Sequence, residues 1–146
     1  MIPEPDSALH TIMGTLMMEV APNMGDDYRR ANVNLLGAAA ALIAAEYDRA
    51  AEVRVWENNA MRAIFGRAAG LPADPALRSR VVDAAAGADT DLRVSQLTAA
   101  NTELRRVLID LHAMVEELDA PEAVEINKAI WAFLRESAQR RAIQIG

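Results

Sequence analysis

Four leucines recur at intervals of seven residues along a segment that contains neither proline nor glycine: Leu97, Leu104, Leu111 and Leu118. The residues three positions before them complete an a/d heptad pattern: Val94, Asn101, Leu108 and Val115. Such a repeat predicts one long α-helix with a continuous seam, because positions a and d lie on the same side of a helix. The seam has to be covered by other helices, so the chain is expected to fold by packing helices together.

The residues that flank this seam favour a helix inside a bundle over a two-stranded zipper. In a zipper, the flanking e and g positions carry charges that select the partner. Here the g positions hold Ala100, Val107 and Met114. The apolar face is therefore three positions wide in each heptad, which is typical of a helix packed against several others. Asn101 is then predicted to be a buried polar residue that fixes the register of the helices.

Helical periodicity also covers most of the remaining chain, whereas alternating β-branched stretches are missing. It predicts a single all-α domain over residues 1–146, an antiparallel helical bundle of three long helices and two short ones with coiled-coil-like packing. The longest segment is either one helix or two that meet at a bend near Gly37. The predicted segments are a short helix at 7–20, a long helix at about 26–69, a linker at 66–75, a short helix at 75–86 and a helical hairpin at about 90–143.

Two aspartates mark predicted helix starts. Asp74 directly precedes Pro75, and proline is favoured at the first position of a helix behind an aspartate cap. Asp119 stands three residues before Glu122, which is the spacing of a capping box. We therefore expect the side chains of both aspartates to bind free backbone N–H groups at the start of a helix.

Composition argues against several classes of function. The chain has a net charge of −6 and its arginines are scattered, so it is not expected to bind nucleic acid. It contains no cysteine, which rules out disulfides and thiolate metal sites and fits a reducing cytoplasm. No apolar run approaches the roughly 20 residues of a membrane helix. We expect a cytoplasmic protein without membrane insertion, and its alanine content and single lysine, Lys128, indicate a bacterial origin.

Polar residues interrupt the apolar stripe of the long helix. The inward stripe is predicted to consist of Leu35, Leu42, Val53, Ala60 and Ile64. At 100° per residue, Glu46 and Glu57 fall on this inner side, with Arg49 near its border. Glu46 and Arg49 are one turn apart and can form a structural ion pair. Alternatively, these three residues and Asn101 line an interior pocket for a small molecule.

His112 and Glu116 are also one helical turn apart and could share a metal ion or a proton. Carboxylate-bridged di-iron bundles need Glu-x-x-His on two helices. Neither of the two histidines, His10 and His112, follows a glutamate at that spacing. We therefore expect His112 to be a boundary residue, and we expect no cofactor.

Two further features suggest contacts with other chains. The first predicted helix is rich in methionine, a side chain that adapts to varied partners, and its candidate partner-docking residues are Met13, Leu16, Met17 and Val20. The alternative is that this helix covers one end of the bundle. The alanines at 38–41 leave a smooth helix surface, which favours close helix packing or the seam of a homodimer.

These features favour a non-enzymatic interaction protein, such as an adaptor, a small chaperone or an accessory subunit, acting as a homodimer or with another protein. A small-molecule-binding bundle is the alternative, and a metal-assisted enzyme ranks third. The small, acidic, helical plan with Asn101-x-x-Leu104 on a long helix resembles flagellar export chaperones in type rather than in motif. The resemblance implies a helical fold and a protein partner.

Overall fold

A computed structural model of the chain describes residues 4–143. Apart from the connections between the helices, the protein is helical throughout this range. No β-strand occurs in this range, and the prediction of an all-α fold is confirmed. The α-helices are α1 (Pro5–Gly14), α2 (Asp27–Ala68), α3 (Pro75–Ala86), α4 (Val94–Glu116) and α5 (Pro121–Arg141). Between α1 and α2, Thr15–Val20 forms a π-helical segment and Ala21–Asn23 a 3₁₀ turn. None of these helices is long and apolar enough to cross a membrane.

The starts of α3 and α5 show why the position of an aspartate relative to proline matters. Asp74 is the N-cap of α3, and its carboxylate accepts hydrogen bonds from the backbone N–H of Ala76 at 3.4 Å and of Leu77 at 3.0 Å. The expected capping box at α5 does not form, because the N-cap there is Ala120 and no side chain caps the helix. Proline holds the first helical position in both helices, so Asp119 lies one residue too early to act as the cap.

The described chain divides into two compact units, each of which includes part of α2. Within residues 4–143, the first unit contains residues 4–50 and Ile143, and the second contains Ala51–Ala142. The second unit holds the main apolar core, which α2, α3, α4 and α5 all line. Its buried members include Met61, Phe65, Val81, Leu104, Val107, Leu108, Leu111, Val115, Ile126, Ile130 and Phe133.

The heptad seam on α4 is buried over most of its length. Its side chains from Leu97 to Val115 are inside, and Val107 at the g position is also buried, as the wide apolar face predicted. The two ends differ from the expectation. Val94 is 44% exposed and Leu118 is 39% exposed, because α4 begins at Val94 and ends before Leu118.

In the first unit, the buried residues of α2 are small. Gly37, Ala40 and Ala44 are buried, and a β-carbon built on Gly37 would lie 2.5 Å from Cγ of Met17. Gly37 therefore lets the π-helical segment lie close to α2. The helix α2 continues through this position without a break. Gly37 therefore serves the close approach of the two segments and does not end the helix.

The inward stripe predicted for the long helix is wrong in its first part. Val53 and Ile64 are buried as expected, but Leu35 is 69% exposed and Leu42 is 39% exposed. Residues 35 and 37 are about 200° apart around a helix. Because Gly37 takes the buried side here, Leu35 has to point away from it.

Candidate functional site

The most concentrated polar site in the second unit is centred on the carboxylate of Glu57, which is fully buried on α2. Its Oε2 accepts hydrogen bonds from Asn101 at 2.9 Å and from Arg141 Nη2 at 2.7 Å. Its Oε1 accepts from Ser137 Oγ at 2.6 Å, from Arg141 Nε at 2.6 Å and from Arg105 Nη2 at 3.2 Å. The carboxylate thus joins three helices, with α4 and α5 each supplying donors.

These contacts keep Glu57 ionised despite its burial. Burial by itself raises the pKa of a carboxyl group, but the hydrogen bonds from Arg141 and Ser137 and the charges of Arg141 and Arg105 outweigh it and lower the pKa from 4.5 to about 2. An ionised carboxylate offers about four lone-pair positions, and five donors already approach this one. Glu57 is therefore a weak base whose oxygens are occupied by its own chain, an arrangement suited to joining helices.

A second polar group continues from the first. Asn58 accepts a hydrogen bond from Asn101 at 2.9 Å and donates to both carboxylate oxygens of Asp89, at 3.1 and 3.0 Å. Asp89 also forms an ion pair with Arg62 at 2.7 Å. Burial of the Asp89 carboxyl would raise its pKa, but the hydrogen bonds from Arg62 and Asn58 lower it overall. A chain of polar contacts therefore links α4, α2 and the loop that precedes α4.

The structure brings two of the four predicted pocket residues together. Glu57 and Asn101 are in direct contact, and both are buried. Glu46 and Arg49 belong to the first unit, where each is half-buried. The pocket itself and the Glu46–Arg49 pair stay predictions.

Sequence reasoning missed Ser137, Arg141 and Asn58, although one signal was present. The stripe of α5 runs through Ile126, Ile130 and Phe133, and the next inward position is Ser137, which is buried. Ser137 on α5 is therefore the counterpart of Asn101 on α4, because each is a polar residue at an inward position of its helix. The bidentate contact of Arg141 carries no such signal, because a basic residue at a helix end is common for other reasons.

His112 lies half-buried between α4 and α5. Its Nε2 is 3.1 Å from Oδ1 of Asn127 and 3.4 Å from the carboxylate of Glu116, and its ring meets Trp131 edge-on. A contact with Asn127 matches the expected boundary role. Among residues 4–143, no cluster of three or more metal-ligating side chains is present.

The candidate docking residues of the first helix lie in the first unit. Met13, Leu16 and Val20 are half-buried, and Met17 lies against Gly37 while remaining 38% exposed. The neighbouring Ile12 is 50% exposed and Met18 is 78% exposed. Met13, Leu16 and Val20 therefore take part in packing, and a docking role for these candidates stays a prediction.

A larger exposed apolar surface lies on α2 in the same unit. We call it the α2 face, and it consists of Tyr28, Leu35, Leu36, Leu42, Ile43 and Tyr47. The exposed fractions of these side chains run from 39% for Leu42 to 76% for Tyr28. Charged side chains normally occupy the solvent side of a helix, so this concentration of large apolar groups calls for an explanation.

Comparison with known proteins adds no functional information, since no protein family, curated protein sequence or solved structure matches this chain.

Proposed function

We propose that the protein is a non-enzymatic helical interaction protein that binds an apolar helix of a partner chain through the α2 face. The observation that carries the proposal is the exposure of six large apolar side chains on one stretch of helix, residues 28–47. Large apolar patches on soluble proteins mark interaction sites, because exposing them to water is unfavourable.

The α2 face has the form of a helix-binding surface. At 100° per residue, Tyr28, Leu35 and Leu42 form one row, and Leu36 and Ile43 form a second row about 100° away. Ala39 lies between the two rows and is only half-buried. Around Ala39, two apolar rows separated by a small residue make a shallow groove that can accept the ridge of another helix, and the polar Asn32 and Glu46 lie at its two ends.

The size of the surface supports the same proposal. Fully exposed large side chains present roughly 150–250 Å² each, so the exposed fractions on the α2 face amount to roughly 700 Å². This exceeds the roughly 300–600 Å² of the largest patch on a typical monomer. It approaches the roughly 800 Å² that each partner contributes to a stable interface.

Photo-crosslinking in the cells that produce the protein tests this proposal. A photoreactive amino acid at Leu35 or Ile43 should crosslink to an identified helical segment with an apolar stripe. The same group at Asn34, which is exposed about 150° away from the centre of the face, serves as the matched control. Crosslinks of equal yield from Asn34, or none from the face, would contradict the proposal.

The two other functions stay predictions. A small-molecule pocket beside Glu57 requires free hydrogen-bonding capacity, but five protein donors already approach its carboxylate. A metal-assisted reaction rests on His112 and Glu116 alone. The expected bacterial origin and cytoplasmic location stay predictions as well.

A further inference from the structure

We infer that the partner helix is α2 of a second copy of this chain, which lies antiparallel to the first across a two-fold axis at Ala39. This inference rests on the proposed function and identifies the occupant of the α2 face. In a two-fold interface, the same patch serves both partners and has to be complementary to itself. The area, the charges and the arrangement of side chains on the α2 face all meet that condition.

The area fits a pair of identical faces. One α2 face offers roughly 700 Å², so two of them together could bury at most roughly 1,400 Å², and this upper limit lies within the usual range of about 1,200–2,000 Å² for a specific interface. A helix from a small peptide would leave part of both apolar rows uncovered. In the register centred on Ala39, a second copy of the same helix covers the face from Asn32 to Glu46.

Charge selects the antiparallel orientation. The middle of the face carries Asn32, Ala39 and Glu46 at intervals of seven residues, so they lie in one row along the helix. In a parallel pair, Glu46 would meet Glu46 of the second copy, and like charges in contact are unfavourable. In an antiparallel pair centred on Ala39, Glu46 instead meets Asn32, whose amide can donate a hydrogen bond to the carboxylate.

The apolar residues are consistent with the same register. In the antiparallel pair, Leu35 shares a layer with Ile43 of the second copy, and Leu36 shares a layer with Leu42. Both of these layers combine two large aliphatic side chains, as in the seam of an antiparallel coiled coil. At the two-fold axis, Ala39 meets Ala39, and the small side chains allow the two helices to approach closely.

Single-cysteine crosslinking of the full chain tests the arrangement directly, because the protein has no cysteine of its own. Under mild oxidation, Ala39→Cys should form a disulfide-linked dimer, since residues on the two-fold axis face their own copies within the short Cα–Cα distance that a disulfide needs. The control Asn34→Cys, on another side of the same helix, should stay unlinked at equal protein concentration.

A mixing experiment determines the orientation. An equimolar mixture of Leu35→Cys and Ile43→Cys should give mainly the mixed dimer, and each variant alone should link poorly. Strong self-linking of each variant would indicate a parallel pair and would overturn the inference. Circular dichroism of every variant checks that the helices are retained.

The outcomes also separate this inference from the proposed function. A purified protein that stays monomeric at tens of micromolar, combined with crosslinks in cells from Leu35 to a different protein, would overturn the inference and leave the proposed function standing. A monomer without any crosslink in cells would overturn both. A dimer that links through Ala39 but not through Asn34 supports both.

Discussion

Glu57 shows how a single charged residue can be accommodated inside a helical unit. An isolated carboxylate without exposure to water is costly, and proteins compensate by surrounding it with charged and neutral donors. Here Arg141, Arg105, Ser137 and Asn101 supply those donors from α4 and α5. The side chains at this site join α2, α4 and α5, and removing Glu57 would take the shared acceptor away from donors on both other helices.

The first prediction concerns the charge of Glu57. Because its pKa is lowered from 4.5 to about 2, its ionised form stabilises the fold above pH 4.5, and this contribution is lost as the pH falls towards 2. Glu57→Gln should lower the free energy of unfolding at pH 7 by an amount on the order of 3 kcal/mol. The difference from the wild type should shrink by about half at pH 3.

Urea unfolding of both proteins at the two pH values measures this effect. Glu103→Gln is the control, since Glu103 is exposed and pairs only with Arg106 among the described residues. We expect that substitution to change stability by less than about 0.5 kcal/mol at pH 7. A loss for Glu57→Gln that is the same at both pH values would show that its charge contributes nothing.

The second prediction concerns Asn101, which occupies a seam position where leucine would extend the heptad. Asn101→Leu should lower the free energy of unfolding by about 2 kcal/mol, because Asn58 and Glu57 each lose a buried donor. Thermal or urea unfolding measures the change, with Thr102→Leu on the exposed side of α4 as the control. A gain in stability for Asn101→Leu would mean that the seam favours an apolar residue here.

At the scale of elements, helix starts depend on single-residue register. Asp74 and Asp119 look alike in the sequence, since each stands just before a proline and a helix. The intervening Ala120 makes the difference, because the side chain of an N-cap reaches the second and third N–H groups of the helix only from the position next to it. The existence of α3, α4 and α5 follows from periodicity, whereas the use of a particular cap depends on this exact offset.

The third prediction compares these two aspartates. Asp74→Ala should lower the free energy of unfolding by about 1 kcal/mol, because two N–H groups at the start of α3 lose their acceptor. Asp119→Ala should change it by less than about 0.5 kcal/mol, since its side chain caps no helix. Chemical denaturation of both variants measures the difference, and equal losses would contradict the assignment of the caps.

At the scale of the whole molecule, α2 has two different environments along its length. Its later part lines the core of the second unit with Met61 and Phe65. Its earlier part buries Gly37, Ala40 and Ala44 and leaves Leu35 and Ile43 exposed. The large side chains are thus outside and the small ones inside, so this part of α2 buries little apolar side-chain area within its own chain. A second chain on the outer side would complete the packing.

The fourth prediction tests whether a second copy of the chain covers the α2 face. Leu36→Glu places a charge within the α2 face and should convert the proposed dimer to a monomer, because the carboxylate would be buried without a partner. Light scattering measures the mass, and circular dichroism should be unchanged, since glutamate is a good helix former. Asn34→Glu adds the same charge on another side of the helix and should leave the dimer intact. Dissociation by both variants would point to net charge as the cause.

The sequence by itself determined that the protein is all-α, where α3 and the α4–α5 hairpin lie, and that Asn101 is buried, because periodicity and turn residues act locally along the chain. Only the tertiary structure decided which side of α2 faces inward and which donors surround Glu57. Leu35 and Ala40 are both apolar, so periodicity cannot rank them, and the close approach that Gly37 permits settles which one is buried. Contacts such as Glu57–Arg141 join residues 84 positions apart, and no local pattern specifies such a pair.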